Sequence, residues 1–274
     1  MTKVSSIKEY IDRIEQIRLE SKQELPMVFR GQGNSSWEIK STLERTGIKS
    51  IFSKEYYRSI DCLKPEINSL GHHFERNFNE KKYEHNFFDY RNISFRKFPD
   101  IEYLSYLRHH GFPTPLIDVS RSEYIALFFA CEDMNVETDA KVFVFREDFG
   151  RAGVSGSPQL EKIGHYFESD RRHIAQQSEY LIALKYERVE DHCEWLFVPF
   201  SSFLEWNNSF CGQGYDEDYT EPQSFFEIEI DGCAKKEILA ELYKMNINHY
   251  TLYLDEDSLI RKLKYEFLQS VKND

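Results

Sequence analysis

The sequence has no CxxC pair, and its five cysteines are odd in number and widely spaced, so neither a disulfide framework nor a zinc ribbon is expected. No apolar stretch approaches the length of a membrane span, and the opening MTKVSSIKEYIDRIEQ carries no apolar signal region, so a soluble, cytoplasmic chain is expected. Basic residues are in deficit: 35 Lys and Arg against 47 Asp and Glu leave a formal charge of −12. That balance disfavours a sequence-independent grip on nucleic acid by phosphate neutralisation, while leaving open a nucleic acid that is touched briefly as a substrate. Internal repeats, low-complexity tracts, histidines at metal-ligand spacing and a G-x-S-x-G turn are absent, so no metal site is expected. A Ser-His-Asp hydrolase built from Ser122, His109 and Asp118 ranks well behind other readings for want of that turn.

What is present is an aromatic-rich chain of 274 residues, with 22 Phe and 17 Tyr, long enough to bury a substantial core. No linker forces a division, so one domain over 1–274 is expected, with an N-terminal helix at about 6–20 and a helical insertion at about 54–110. Ser6 to Glu9 reads as a capping box, followed by Ile7, Tyr10, Ile11, Ile14 and Ile17 at helical spacing. Met27 to Phe29 reads as a short buried strand that ends at Arg30-Gly31. A helix is expected over Asp100 to His110, stopped by Gly111, and an almost wholly apolar one over Tyr124 to Cys131, capped by Ser120 or Ser122. Strands are expected at 116–119, 141–145, 179–184, 196–200 and 225–230, and a short one at TLYL, 251–254, with helices near 234–247 and 258–271. Strands and helices mixed without regular βαβ spacing point to an α+β domain.

Three places put polar groups where a strand ends or a helix begins. Arg30 can be a surface or ion-paired arginine, or a planar fork of donors for a phosphate or ribose, with Gly31 either a turn residue or an opening for close ligand approach. Asp118, Ser120, Arg121 and Ser122 crowd one junction where free helix amides and hydroxyls suit an anion. Gln176, Gln177 and Glu179 enter an apolar strand, where a glutamate by itself is usually a solvated edge residue.

Together these pieces resemble the FRG domain family. The tripeptide at 29–31 is followed by Trp37 and an L-x-R ending at Arg45; then come His109-His110-Gly111, Pro113-Thr114, Leu116-Ile117-Asp118 and a helix ending ALFFA. Gln176-x-Ser178-x-Tyr180 is similar to the family's Q-x-G-x-F strand, with Ser for Gly and Tyr for Phe. FEIEI and KKEILAELYKMNINHYTLYLDEDSLIRKL resemble its closing strand, helix and turn, with Asp255 where proline is the rule. The likeness runs from 28 to about 265. FRG domains in turn resemble ADP-ribosyltransferases, which implies a mixed, mainly antiparallel split-sheet core with surrounding helices.

That second resemblance implies an NAD-dependent mono-ADP-ribosyltransferase acting on a protein, DNA or RNA target, in the setting of a bacterial or phage toxin or defence effector with an antitoxin or regulatory partner. It implies NAD as substrate and no metal. Arg30 would hold phosphate or ribose, Gly31 the nicotinamide amide, and Tyr124 or Phe129 would stack on the ring. Glu179 would bond the ribose 2′-hydroxyl, Ser120, Ser122 and Gln177 would line the pocket, and Arg121 or His109 would orient the acceptor or the phosphates. The alternatives are a non-catalytic nucleotide- or protein-binding module and an NAD glycohydrolase.

Overall fold

The computed structural model describes residues 3–20, 25–76, 78, 98–146, 157–164, 167, 169–189, 192–210 and 225–272. Part of the 54–110 insertion, at 77 and 79–97, lies outside the described residues. The class is α+β, as expected: eight strands form one sheet in which every strand pair is antiparallel.

The strands are β1 (Met27–Gln32), β2 (Ile51–Phe52), β3 (Ile117–Ser120), β4 (Ala140–Arg146), β5 (Pro158–Ile163), β6 (Ser178–Val189), β7 (His192–Phe197) and β8 (Phe225–Ile230). Their order is β2-β7-β6-β3-β1-β4-β8, with β5 added on β6. Strand β6 is the hub because it is 12 residues long. Its first residues pair with β3 (Ser120↔Ser178 to Ile117↔Leu181) and its later ones with β7 (Leu184↔Phe197 to Val189↔His192). Strand β5 pairs across both stretches, from Tyr180 to Lys185, so it must occupy the other edge of β6.

Both faces of the sheet are covered. Val28 and Phe29 are adjacent, hence on opposite faces, and each is buried in a different apolar cluster. The same demand explains why Val142 to Phe145 are all buried, a continuous apolar run where alternation would mark a half-exposed strand. Strand β8 does alternate, half-buried and buried, over its whole length.

One face carries α1 (Ile7–Leu19) and α6 (Glu123–Cys131), with α9 (Lys235–Lys244), α10 (His249–Tyr253) and α11 (Glu256–Lys272). Further along the same face lie α3 (Ser53–Asp61) and α5 (Ile101–His109). The other face receives α8 (Phe200–Phe210), whose Phe200 and Phe203 pack on Phe145, Leu181 and Ala183. Short helices α2 (Thr42–Arg45), α4 (Lys64–Asn68) and α7 (Arg171–Ala175) complete the described elements with a 3₁₀ turn at Gly232–Ala234. In α1 the buried residues are Ile7, Tyr10, Ile14 and Ile17, and Ser6 caps it by accepting from the Glu9 amide. Val4 covers the free edge of β8 by pairing with Ile230.

Two strand expectations are corrected. TLYL is helical: Asn248 and Thr251 form a capping box that starts α10, and Leu254 ends it in the left-handed region. LFVPF is a strand only to Phe197; Pro199 precedes a helix, and the Glu44 carboxylate accepts from the Phe200 amide at 2.9 Å to cap α8. Strand β5 and helix α8 had no counterpart in the sequence reading.

Candidate functional site

Strands β1 and β3 register at a single pair, Phe29↔Ser120. Beside it the Arg30 side chain bridges the two strands, Nη1 donating to the Asp118 carbonyl oxygen at 2.7 Å. The same guanidinium lies 3.8 Å from the Asp118 carboxylate. That carboxylate is held by Arg108 at the end of α5, whose Nε donates to Oδ2 at 3.0 Å and whose Nη2 makes a second contact with it. Arg30 is thus fixed by a main-chain carbonyl, while its nearest carboxylate is engaged by another arginine.

The turn after β3 is stitched to the turn before β6. The Arg121 amide donates to the Gln177 carbonyl at 3.0 Å, and the Ser120 hydroxyl donates to the Gln176 carbonyl at 2.8 Å while accepting from the Ser122 amide. Ser122 caps α6, accepting from the Ile125 amide. Gln177 takes a left-handed conformation, φ +47, which turns the chain into β6. Gln176 anchors the turn from below, its amide donating to the Leu252 carbonyl of α10.

Glu179 stands opposite Val119 and is 1% exposed. Lys162 of β5 reaches its Oε2 at 3.1 Å, and Arg121 Nε lies 3.9 Å from Oε1. Pairing parity aligns the backbone of Arg30, Val119 and Glu179 in the row next to Phe29, Ser120 and Ser178. The Arg30 guanidinium, however, reaches across the thin β1-β3 joint to Asp118, whose side chain alternates to the other face with Arg108. Two strand spacings separate Arg30 from Glu179 in that row, roughly 10 Å or more. No direct contact joins them.

His109 enters from the opposite face. Its Nε2 lies 3.3 Å from the Tyr180 hydroxyl, which also meets the Ser105 hydroxyl at 2.9 Å. His173 packs at a tilt between Phe167 and Tyr180, and its buried Nε2 has no hydrogen-bond partner among the described residues.

Burial dominates the electrostatics here. It drives the Arg30 guanidinium down to about 10, against the attraction of Asp118 and with further depression from Arg108 and Arg45. For Asp118 burial pushes the other way, but Arg108 and Arg30 outweigh it and hold the carboxyl below its ordinary value. Desolvation lowers His109, and lowers His173 to about 4.

The remaining expected residues sit otherwise. Gly31 faces α6 at contact distance rather than open space: a Cβ there would stand 1.9 Å from the Ala126 carbonyl oxygen. Tyr124 and Phe129 are half-buried on α6, and the Phe129 ring meets Tyr253 of α10 edge-on at 6.2 Å between centroids. A cavity of about 1320 Å³ opens away from this junction, with Trp37, Lys49, Lys141, Phe143 and Trp206 among its walls, and none of the expected site residues lines it.

Arg30, Ser120, Arg121, Ser122, Gln177 and Glu179 therefore converge on the β1-β3-β6 junction, with His109 nearby through Asp118 and Tyr180. Sequence reading missed Arg108, Lys162 and His173. Arg108 sits directly before the His109-His110 pair and could have been flagged by charge; Lys162 lies on an unread strand and gave no signal. Among the described residues no group of three or more His, Cys, Asp or Glu is placed to hold a metal, and no helix is long and apolar enough to cross a membrane.

No curated protein and no solved structure matches the chain. Residues 26–139 match the FRG domain family, a stretch that runs from the start of β1 to the residue before β4 and holds Arg30, Gly31, His109 and Ser120 to Phe129, while Gln177 and Glu179 lie beyond it; the match supports the FRG family for this chain.

Proposed function

We propose that the chain is an NAD-dependent mono-ADP-ribosyltransferase whose active centre is the β1-β3-β6 junction. The observation that carries this reading is the meeting of β1, β3 and β6, which brings the Arg30 guanidinium, held at the Asp118 carbonyl, and the buried Glu179 carboxylate onto neighbouring strands. Three segments far apart in sequence meet there, as the ADP-ribosyltransferase resemblance requires. The thin joint between β1 and β3 is also the place where a split sheet would divide.

In the reaction the glycosidic bond between ribose C1′ and the nicotinamide nitrogen breaks. Nicotinamide leaves as the neutral base with the bonding pair, the ribose gains oxocarbenium character, and an acceptor nucleophile attacks C1′ and gives up a proton. Arg30 supplies donors to a phosphate or ribose oxygen, and Glu179 accepts from the 2′-hydroxyl and opposes the developing positive charge. Lys162 and Arg121 flank the Glu179 carboxylate, so ribose binding must compete with the 3.1 Å contact from Lys162. That contact is also what favours the second reading, a nucleotide-binding module of the same family in which Glu179 only ties β5 to β6. A toxin or defence role, with an antitoxin or regulatory partner, belongs to the first reading.

Incubating the chain with NAD and a mixture of protein, DNA and RNA targets, with nicotinamide release and acceptor mass read by mass spectrometry, separates them. Release together with a modified acceptor supports the transferase. Release with free ADP-ribose alone points to a glycohydrolase, and NAD binding without release to the module.

A further inference from the structure

Helix α11 is apolar on the side turned away from its own body. Its packed side is marked by Ser258 and Tyr265, both buried, with the Tyr265 ring 4.1 Å from that of Tyr243 of α9. Ile260, Leu263, Phe267 and Val271 follow one another at steps of three, four and four residues, which places them in one stripe along a helix. With Leu268 beside it, the stripe holds five large apolar side chains, each between 44% and 63% exposed. From Glu266 to Val271 every residue is exposed, so the end of α11 has no support from the body.

Short helical segments are marginal in water and gain most of their stability from a packed apolar face, which the end of α11 lacks within its own chain. Five such side chains also make a patch of roughly a few hundred Å², the size that marks an interaction surface. The flanking residues indicate what covers it. With Ile260 and Phe267 at heptad position a and Leu263 at d, Ser258 and Tyr265 both fall at f, opposite the seam. Two copies can therefore meet through α11 with their bodies on the outside. Lys264 falls at e and Glu266 at g, the two borders of the seam. A parallel pair sets the e border of one helix along the g border of the other, lysine along glutamate, whereas an antiparallel pair sets like border against like. Glu266 is held by Lys262 of its own helix at 2.9 Å but stays 48% exposed, open to a second cation. Isoleucine at a with leucine at d is also the combination that favours two parallel strands. We propose that the Ile260-Leu263-Phe267-Val271 stripe is the seam through which two copies of this chain associate as a parallel helix pair. The surface is independent of the proposed reaction. The seam is only about two heptads long, so the pair is weak, with Kd on the order of 10 to 100 μM, as for interfaces below the standard size.

The test is sedimentation velocity of the full chain from about 1 to 300 μM, a range that brackets this affinity. The mean mass should rise with concentration toward that of a dimer. Phe267→Glu changes an exposed side chain and should fold normally, as a thermal melt will check; it should weaken association at least about 10-fold. Ser270 falls at the next d position, where a parallel pair brings the two copies of the residue together. Ser270→Cys should therefore close a disulfide between copies on mild oxidation, mapped to residue 270 of both by peptide mass spectrometry. A monomer at every concentration overturns the pair and leaves the stripe to a helix of another protein. A dimer that Phe267→Glu does not weaken overturns the seam, and a dimer that forms no 270–270 disulfide overturns its parallel sense.

Discussion

Gly31 of β1 touches the backbone of α6 so closely that a methyl group at residue 31 would lie 1.9 Å from the Ala126 carbonyl oxygen and 2.7 Å from the Ala130 nitrogen. Residue 31 is not among the positive-φ glycines, so space rather than backbone freedom demands glycine. Gly31→Ala must push α6 off the sheet, and α6 supplies Ile125 to Phe128 and Ala130 to the core. Overpacking of this kind costs about 3 kcal/mol, the upper part of its usual range. Urea denaturation should show the lower midpoint; an unchanged midpoint would mean that α6 shifts freely.

Lys235 is fully buried at the start of α9, where its ammonium donates to the Gly33 carbonyl at 2.6 Å and meets the Asp133 carboxylate at 3.1 Å. It therefore pins the end of β1 to the end of α6. Lys235→Met keeps the aliphatic length but leaves the Gly33 carbonyl without this donor, at a cost of about 1–3 kcal/mol. Asp133 is 41% exposed and can turn to water, which keeps the loss below that of a fully buried pair. Thermal melts of the variant and of Asp133→Asn should rank in that order, the lysine variant lower.

His173 is 3% exposed, and burial lowers its pKa from 6.5 to about 4. Its folded value lies below its unfolded value, so between pH 4 and about 6.5 the unfolded chain binds the additional proton. Its contribution to stability is complete above about pH 6.5 and declines as the pH falls toward 4. His109 and His249 are lowered by burial as well and act in the same direction. His173→Phe should flatten, without abolishing, the fall in melting temperature between pH 7 and 4. An identical slope in the variant would show that His173 takes up its proton alike in the folded and the unfolded chain.

Burial pushes the Cys131 thiol up to about 12, whereas Cys62 and Cys233 are exposed. The thiolate is the reacting form, so iodoacetamide at pH 8 should label Cys62 and Cys233 within minutes and leave Cys131 unlabelled until the chain is unfolded. Peptide mapping before and after denaturant reads this directly.

Local signals were legible and tertiary ones were not. Gly111 stops α5 in a left-handed turn, φ +76, and Ser122 caps α6, both as their residue types indicate. The alternation of FFEIEI gave β8 its full span. The apolar run EYLIAL ends at Leu184, but β6 continues to Val189 because it changes partner there, from β3 to β7, and its outer residues need not be apolar. TLYL looked like a strand by composition and is a helix because Asn248 and Thr251 cap it. At the junction, Arg30 and Glu179 could be linked in advance only through family resemblance. Their partners, the Asp118 carbonyl and Lys162, are set by strand order, which no short motif encodes.

Glu179→Gln is the sharpest probe of the transferase reading. The amide keeps the shape of the side chain, and Lys162, itself 21% exposed, can turn to solvent once its 3.1 Å contact with a carboxylate is gone, so the fold should survive with a modest drop in melting temperature. A carboxylate that opposes the oxocarbenium charge cannot be replaced by a neutral amide, and nicotinamide release should fall on the order of 10²- to 10³-fold. NAD affinity should change far less, because this contact strengthens only as the glycosidic bond breaks. Lys162→Met serves as the companion variant, since it removes the competing cation and leaves the carboxylate. Release that persists in Glu179→Gln would strike Glu179 from the chemistry, and release lost alike in Glu179→Gln and Lys162→Met would assign the pair to holding β5 against β6.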